Sequence, residues 1–275
     1  MDAKTDLNAS AVDDSAIGDS GIERQRTHFN SIAVRYEQGR QDANHKRIKA
    51  LIWKSALASL APLRGRRIRM LEPMCGYAEG LGIVQEHAGL DCDYHGFDYS
   101  DVIVEELSRT FSDGQVWQAD ATTYRPEAEL YDLAFLSGGL HHVPGNAATV
   151  VRNVAAGLKP GGMFVNFEPT YGNGLFRAIR ERIYRKNEIF DEVTERSFSV
   201  EELRGFFLDA GLKPVSIAYP GLLAYVLYYN TYAFPWLNRG GERSVNLAFA
   251  IDRLFMGNRI GRTFSFATIS VWQKA

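Results

Sequence analysis

From residue 68 to residue 273 the chain alternates short apolar runs with stretches of helical period, and this alternation narrows its fold more than any other feature. Strands fit residues 68–72, 93–98, 115–118, 133–137 and 163–168, with later ones at 214–219 and 263–273. Helices fit 79–87, 101–111, 147–158 and 200–210. Ser199 stands where it can N-cap the last of these, with Glu201 and Glu202 in its first turn and Gly211 at its end. Such a pattern predicts a largely parallel sheet covered by helices on both faces. Ligands of such sheets sit beyond the carboxyl ends of the strands. Chemistry is therefore sought just after Glu72, Asp98, Gln118, Ser137 and Glu168.

A chain of 275 residues can bury a substantial core, and residues 22–275 read as a single domain. Residues 1–21, rich in Asp, Ser and Ala, hold too little apolar surface to offset ordering and read as a disordered tail. Residues 22–61 read as a helical cap. They carry one stripe at Phe29, Ile32, Ala33 and Tyr36 and another at Ile48, Leu51, Ile52, Ala56, Leu57 and Leu60, before Pro62 and Gly65 break the chain. A net charge of −2, with 23% charged residues, gives no overall attraction to nucleic acid or anionic membrane. Cys75 and Cys92 cannot build a disulfide framework, and no apolar leader follows the N-terminus. A cytoplasmic protein is expected.

The strand ends carry distinct residue types. The loop "LEPMCGYAEGLG", residues 71–82, holds Gly76, which lets backbone approach a ligand closely. Asp98 in "YHGFDYS" lies 22 residues beyond Gly76, a spacing that suits a carboxylate accepting from both ribose hydroxyls. In "WQADATTY", Asp120 can accept from an adenine amino group and Ala121 leaves room for the ring; the plainer reading of Asp120 is a turn former. The fourth end is "FLSGGLHHVP". In the fifth, "LKPGGMFVNFEP", the "KPGG" reads as a tight turn entering a strand that ends at Glu168.

Taken in order, "LEPMCGYA…GFDYS…QADA…YDLAFLSGGLHHVP…LKPGGMFVNFEP" resembles a class I S-adenosylmethionine-dependent methyltransferase of the small-molecule group. The resemblance implies a Rossmann-like, doubly wound sheet of seven strands, mostly parallel with an antiparallel last strand. A helical N-terminal cap and a helical insertion before the last strand complete it. It implies S-adenosylmethionine as cofactor and S-adenosylhomocysteine as product. It puts Glu72, Cys75 and Gly76 in the loop around the methionine end of the cofactor, Asp98 on the ribose and Tyr99 beside the adenine. Asp120 and Ala121 match the adenine edge, and Ser137 lies under the sulfonium. Tyr36, in "HFNSIAVRYEQGR", resembles an aromatic that closes over the site. Met74 and Ala78 depart from the family, which usually has glycine there. Ala78 is small enough to preserve the turn if its φ is negative, and Met74 fills space near the cofactor's amino-acid end. Cys75 and Cys92 also read simply as small buried residues.

A dinucleotide loop wants G-x-G-x-x-G, but from residue 74 this one runs M-C-G-Y-A-E-G. Its first glycine is missing, and Glu79 would repel a pyrophosphate; S-adenosylmethionine has no phosphate. An NAD(P)-dependent oxidoreductase is therefore the weaker alternative. A methyltransferase fold that only binds or scaffolds is another. A sulfonium methyl is already activated, so transfer is an in-line displacement that chiefly needs positioning. An O or N nucleophile must lose its proton, and a histidine suits that task near neutral pH. His141 or His142 is the candidate base, with Glu168 orienting it, binding a polar group of the substrate, or pairing with a lid arginine such as Arg177 or Arg180. No residue spacing suggests a metal site.

Two segments bear on the acceptor. Residues 169–198 read as a lid, with Tyr171 at its start and an apolar stripe of Leu175, Ile179 and Ile183 among arginines. Residues 214–238 contain no charged side chain. Pro220 and Gly221 interrupt them, and the helix left at 222–236 would be about 22 Å long, short of a ~30 Å hydrocarbon core. No integral membrane span is expected. With a second helix at 245–255, residues 221–261 read as a helical insertion. Tyr225, Tyr229 and Tyr232 within it could pack plainly on the sheet, make a homodimer contact, or wall a deep apolar pocket for a hydrophobic small-molecule acceptor.

Overall fold

The computed structural model describes residues 40–186, 196–231 and 234–275. The expected tail, the first cap stripe with Tyr36, and Tyr232 lie outside the described residues.

Strands β1 (Arg67–Pro73), β2 (Asp91–Asp98), β3 (Val116–Gln118), β4 (Tyr131–Ser137), β5 (Leu158–Tyr171), β7 (Leu212–Ala218) and β8 (Ala267–Lys274) form one sheet in the order β3-β2-β1-β4-β5-β8-β7. A two-residue β6 (Phe198–Ser199) pairs with the end of β5. The pairs β1–β2, β1–β4, β2–β3 and β4–β5 are parallel, and β8 runs antiparallel to both β5 and β7. This is the expected Rossmann-like sheet. In β4 every residue but the terminal Ser137 is buried, as a central strand covered on both faces must be.

Alternate strand residues feed two cores. One face buries Ile68, Met70, Leu133, Phe135, Val165 and Val271 under α1 (Ala43–Ala56), α2 (Glu79–Ile83), which runs into a π-helical turn Val84–Ala88, and α3 (Asp101–Leu107). The other buries Leu71, Ala134, Leu136, Phe164 and Trp272 under α4 (Ala147–Gly157) and α6 (Val200–Asp209). Helix α5 (Gly174–Lys186) follows β5. Helices α7 (Leu223–Tyr228), α8 (Glu242–Arg253) and α9 (Arg259–Phe264) lie between β7 and β8. The Ser199 cap of α6 forms as the sequence predicts: its side chain accepts from Glu202 N at 3.1 Å, and Glu202 reaches back to Ser199 N.

Three local expectations are corrected, and one condition fails. The last strand starts at Ala267, because Asn258 caps α9 by accepting from Ile260 N and Gly261 N. The helix expected over 222–236 is only α7; its N-terminus is capped from α8 by Asp252, and the Tyr-Asn-Thr run after Tyr228 favours helix poorly. "KPGG" does not precede β5 but lies within it, where the pairing to β4 shifts register and Gly161 adopts φ +76°. Ala78 has φ +57°, not a negative value.

Candidate active site at the carboxyl edge of the sheet

The loop after β1 keeps a glycine-like path without the glycines. Met74 (φ +53°), Gly76 (φ +49°) and Ala78 (φ +57°) all lie in the left-handed region. For a non-glycine residue that costs roughly 1–2 kcal/mol. The loop is held by Cys75 N donating to Phe97 O and by Gly76 N donating to Asp98 Oδ2, at 3.0 and 2.9 Å. A Cβ on Gly76 would meet nothing within 4 Å, so the backbone there faces open space. Met74 lies against the loop after β4: a Cβ on Gly139 would fall 2.8 Å from its Sδ.

Glu72 is turned inward. Its side chain is buried, accepting from Gly80 N at 2.8 Å and from the Tyr94 hydroxyl at 3.0 Å. Burial pushes its carboxyl up to about 8, against the opposing pull of those two bonds. Gly80 is required here, since a Cβ would come within 2.5 Å of Glu72 Oε1 and of Phe135 Cδ1. Glu79, the first residue of α2, is bound by Arg40 and by Lys49, the latter at 2.7 Å. Burial raises its carboxyl, but the two cations prevail and hold it below the usual range.

Asp98 ends β2 with Oδ1 accepting from Ser100 N at 3.0 Å and Oδ2 from Gly76 N. Burial raises this carboxyl, while those N–H groups and the nearby His142 oppose the rise. A carboxylate offers about four lone-pair sites, so two remain for a ligand diol. Tyr99 is half-buried, and its carbonyl accepts from Gln118 Nε2 at 3.0 Å. Asp120 organises its own turn: Oδ1 accepts from both the N–H and the hydroxyl of Thr122 at 2.8 Å. Ala121 is buried beside it.

The loop after β4 is built around Glu168. That fully buried carboxylate accepts from Gly139 N (3.0 Å), Leu140 N (2.8 Å), His141 N (3.3 Å) and His141 Nδ1 (2.8 Å). A carboxylate only accepts, so Nδ1 carries a proton toward Glu168; in the neutral ring this leaves the lone pair on Nε2. The His142 ring lies on that of His141, centroids 4.0 Å apart. Ser137 is exposed at the end of β4. Neither lid arginine pairs with Glu168: Arg177 bonds Glu181 at 2.7 Å, and Arg180 donates to the carbonyls of Phe266 and Thr170.

Tyr171 is half-buried, with the Arg177 guanidinium 6.0 Å from its ring centre. Tyr225 is buried and stacks on Tyr229 at 4.5 Å. Tyr229 also meets Phe167 of β5 and His45 of α1, and its carbonyl lies 2.6 Å from His45 Nδ1. His45 escaped the sequence reading. Its only signal was a polar residue three positions before Ile48 on the buried stripe of α1. Burial lowers its pKa to about 4, so the ring is neutral and donates to Tyr229 O. Asp252, also missed, accepts from Leu223 N and Ala224 N, and burial pushes its carboxyl to about 6. Among the described residues no group of His, Cys, Asp and Glu could hold a metal ion, and no helix is long and apolar enough to cross a membrane.

Residues 70–162 match the family model of a methyltransferase domain. No curated protein matches the chain significantly. Solved structures share its fold at low identity. An S-adenosylmethionine-dependent methyltransferase from Mesorhizobium loti aligns at 17% identity and TM-score 0.50, over 80% of this chain and 96% of that one. The [4+2]-cyclase SpnF aligns at 16% and 0.52, over 82% and 80%. A phosphoethanolamine N-methyltransferase 2 from Haemonchus contortus, in complex with phosphomonomethylethanolamine and S-adenosylhomocysteine, aligns at 15% and 0.53, over 81% and 53%.

Proposed function

We propose that the chain is a class I S-adenosylmethionine-dependent methyltransferase, a reading that the methyltransferase domain model over residues 70–162 supports, and that it methylates an oxygen or nitrogen of a small, largely hydrophobic acceptor of the natural-product or lipid-like kind. The residues fit the cofactor: Gly76 leaves open space along its loop, and Asp98 keeps acceptor capacity beside it. When bound, the cofactor supplies a methyl group already activated on a sulfonium. Asp98 would hold its ribose, Tyr99, Asp120 and Ala121 its adenine, and the Gly76 loop and Ser137 its methionine end. Glu72 serves this loop as a brace, through Gly80 and Tyr94.

The observation that carries the reading is the pairing of His141 with the buried Glu168 at the ends of β4 and β5. Glu168 holds the imidazole in one tautomer, and Nε2 takes the proton from the acceptor's hydroxyl or ammonium group. His142, whose ring lies against that of His141 and whose charge acts on Asp98, is the second candidate. Tyr171, Tyr225 and Tyr229 would wall the acceptor, and the stack of Tyr225 on Tyr229 against Phe167 supports an apolar wall. The test is to incubate the protein and S-adenosylmethionine with a metabolite extract split into apolar and polar fractions, then search each for a mass gain of one methyl group. A product in the apolar fraction is expected; one only in the polar fraction sinks the acceptor class.

Met74 favours a second reading, because its side chain lies across to Gly139 where the methionine end would run. A fold that binds without transferring would take S-adenosylhomocysteine yet yield no product in either fraction.

A further inference from the structure

Ten of the thirteen large apolar residues that are exposed among the described residues fall within 174–186 and 222–264. Helix α8 shows why this is unusual. One face buries Val245, Ala248, Phe249 and Asp252. The opposite stripe is apolar too, with Leu247 66%, Ile251 43% and Leu254 71% exposed at spacings of four and three. On α9, Ile260 and Phe264 are about half exposed, again four apart. A surface helix ordinarily carries polar residues on its second face.

The charge around these stripes is mainly basic. Residues 240–264 hold two acids: Asp252, which is buried, and Glu242, which Arg47 pairs with at 3.4 Å. Arg243, Arg253 and Arg259 are exposed. The molecule as a whole carries only −2, so this basic character is local.

We propose that the apolar and basic face of α8 and α9 docks on an anionic lipid bilayer, lying in the interface with Leu247, Ile251, Leu254, Ile260 and Phe264 turned into the acyl boundary. Such a helix lies on a membrane and does not span it. Arginines near a negatively charged leaflet each favour binding by about fivefold. A second copy of the chain fits less well. A two-fold contact would set these arginines against their own copies, and the nearby exposed acids, Glu242 and Glu201, are already paired with Arg47 and Arg262.

The experiment is flotation of the purified full chain with vesicles of phosphatidylcholine alone, or with about 30% phosphatidylglycerol. Vesicle docking needs no turnover, so it stands apart from the acceptor reading. The protein is expected to float with the anionic vesicles and to be released at about 0.5 M salt. The double variant Leu247→Glu, Leu254→Glu should lower partitioning tenfold or more. Arg253→Glu with Arg259→Glu, which leaves the apolar stripe intact, should lower it by a comparable factor. Two results overturn the proposal. One is failure of the wild-type chain to bind anionic vesicles. The other is a dimer in sedimentation equilibrium that the Leu247→Glu, Leu254→Glu variant dissociates.

Discussion

His141 Nδ1 lies 2.8 Å from Glu168 Oε2, and the same carboxylate accepts three backbone N–H groups of the loop that carries the histidine. One buried anion thus sets both the path of the loop after β4 and the tautomer of the ring. If His141 is the base, His141→Ala should lower kcat by about 10²- to 10⁴-fold with S-adenosylhomocysteine affinity little changed. His142→Ala should cost less. Steady-state kinetics on both variants and the double variant checks this; full turnover in all three excludes histidine catalysis and leaves positioning alone.

Gly80→Ala tests the packing beneath the loop. The added methyl would fall 2.5 Å from Glu72 Oε1 and from Phe135 Cδ1, both buried. Overpacking of this kind costs about 1–3 kcal/mol, which should appear as a lower urea midpoint with an unchanged slope. An unshifted midpoint would mean that Glu72 moves away freely and does not brace the loop.

Glu72 also makes stability depend on pH. Its folded pKa is about 8 against an ordinary 4.5, so between those values the folded state holds a proton that the unfolded state has released. Its contribution is therefore full below the unfolded value and is lost as pH rises through the folded one. Glu72→Gln mimics the protonated form. The variant should match the wild type near about pH 5 and exceed it in stability near about pH 8.5. Parallel curves for the two proteins would show that Glu72 titrates normally.

Much of this was legible beforehand, for physical reasons that differ by element. β4 is apolar along its whole length because both its faces are covered, so its sequence announces it. The capping box of α6 is local chemistry, readable from four residues. The backbone at Ala78 was not legible, because the neighbours Phe97 and Asp98, distant in sequence, hold the loop in the left-handed region that the side chain disfavours. The inward turn of Glu72 escaped for a related reason: Tyr94 and Gly80, which receive it, come together only in the folded sheet. His45 and Asp252 act across helices far apart in sequence, so their partners are not visible from local pattern.

Tyr229→Ala should raise KM for the acceptor several-fold or more while leaving cofactor affinity nearly intact. The ring contacts Tyr225, Phe167 and His45, so thermal melting must accompany the kinetics. Lost stability with unchanged KM would make these tyrosines plain packing.

The cofactor assignment underlies the whole account, and calorimetric titration with S-adenosylhomocysteine and with NAD tests it most directly. The wild-type chain should bind S-adenosylhomocysteine and not NAD. Asp98→Ala should weaken that binding by roughly ten- to a hundredfold, since two charge-assisted hydrogen bonds are lost at ~1.5–3 kcal/mol gross each and water replaces them in part. Binding of NAD in place of S-adenosylhomocysteine, or equal affinity in wild type and Asp98→Ala, would contradict it.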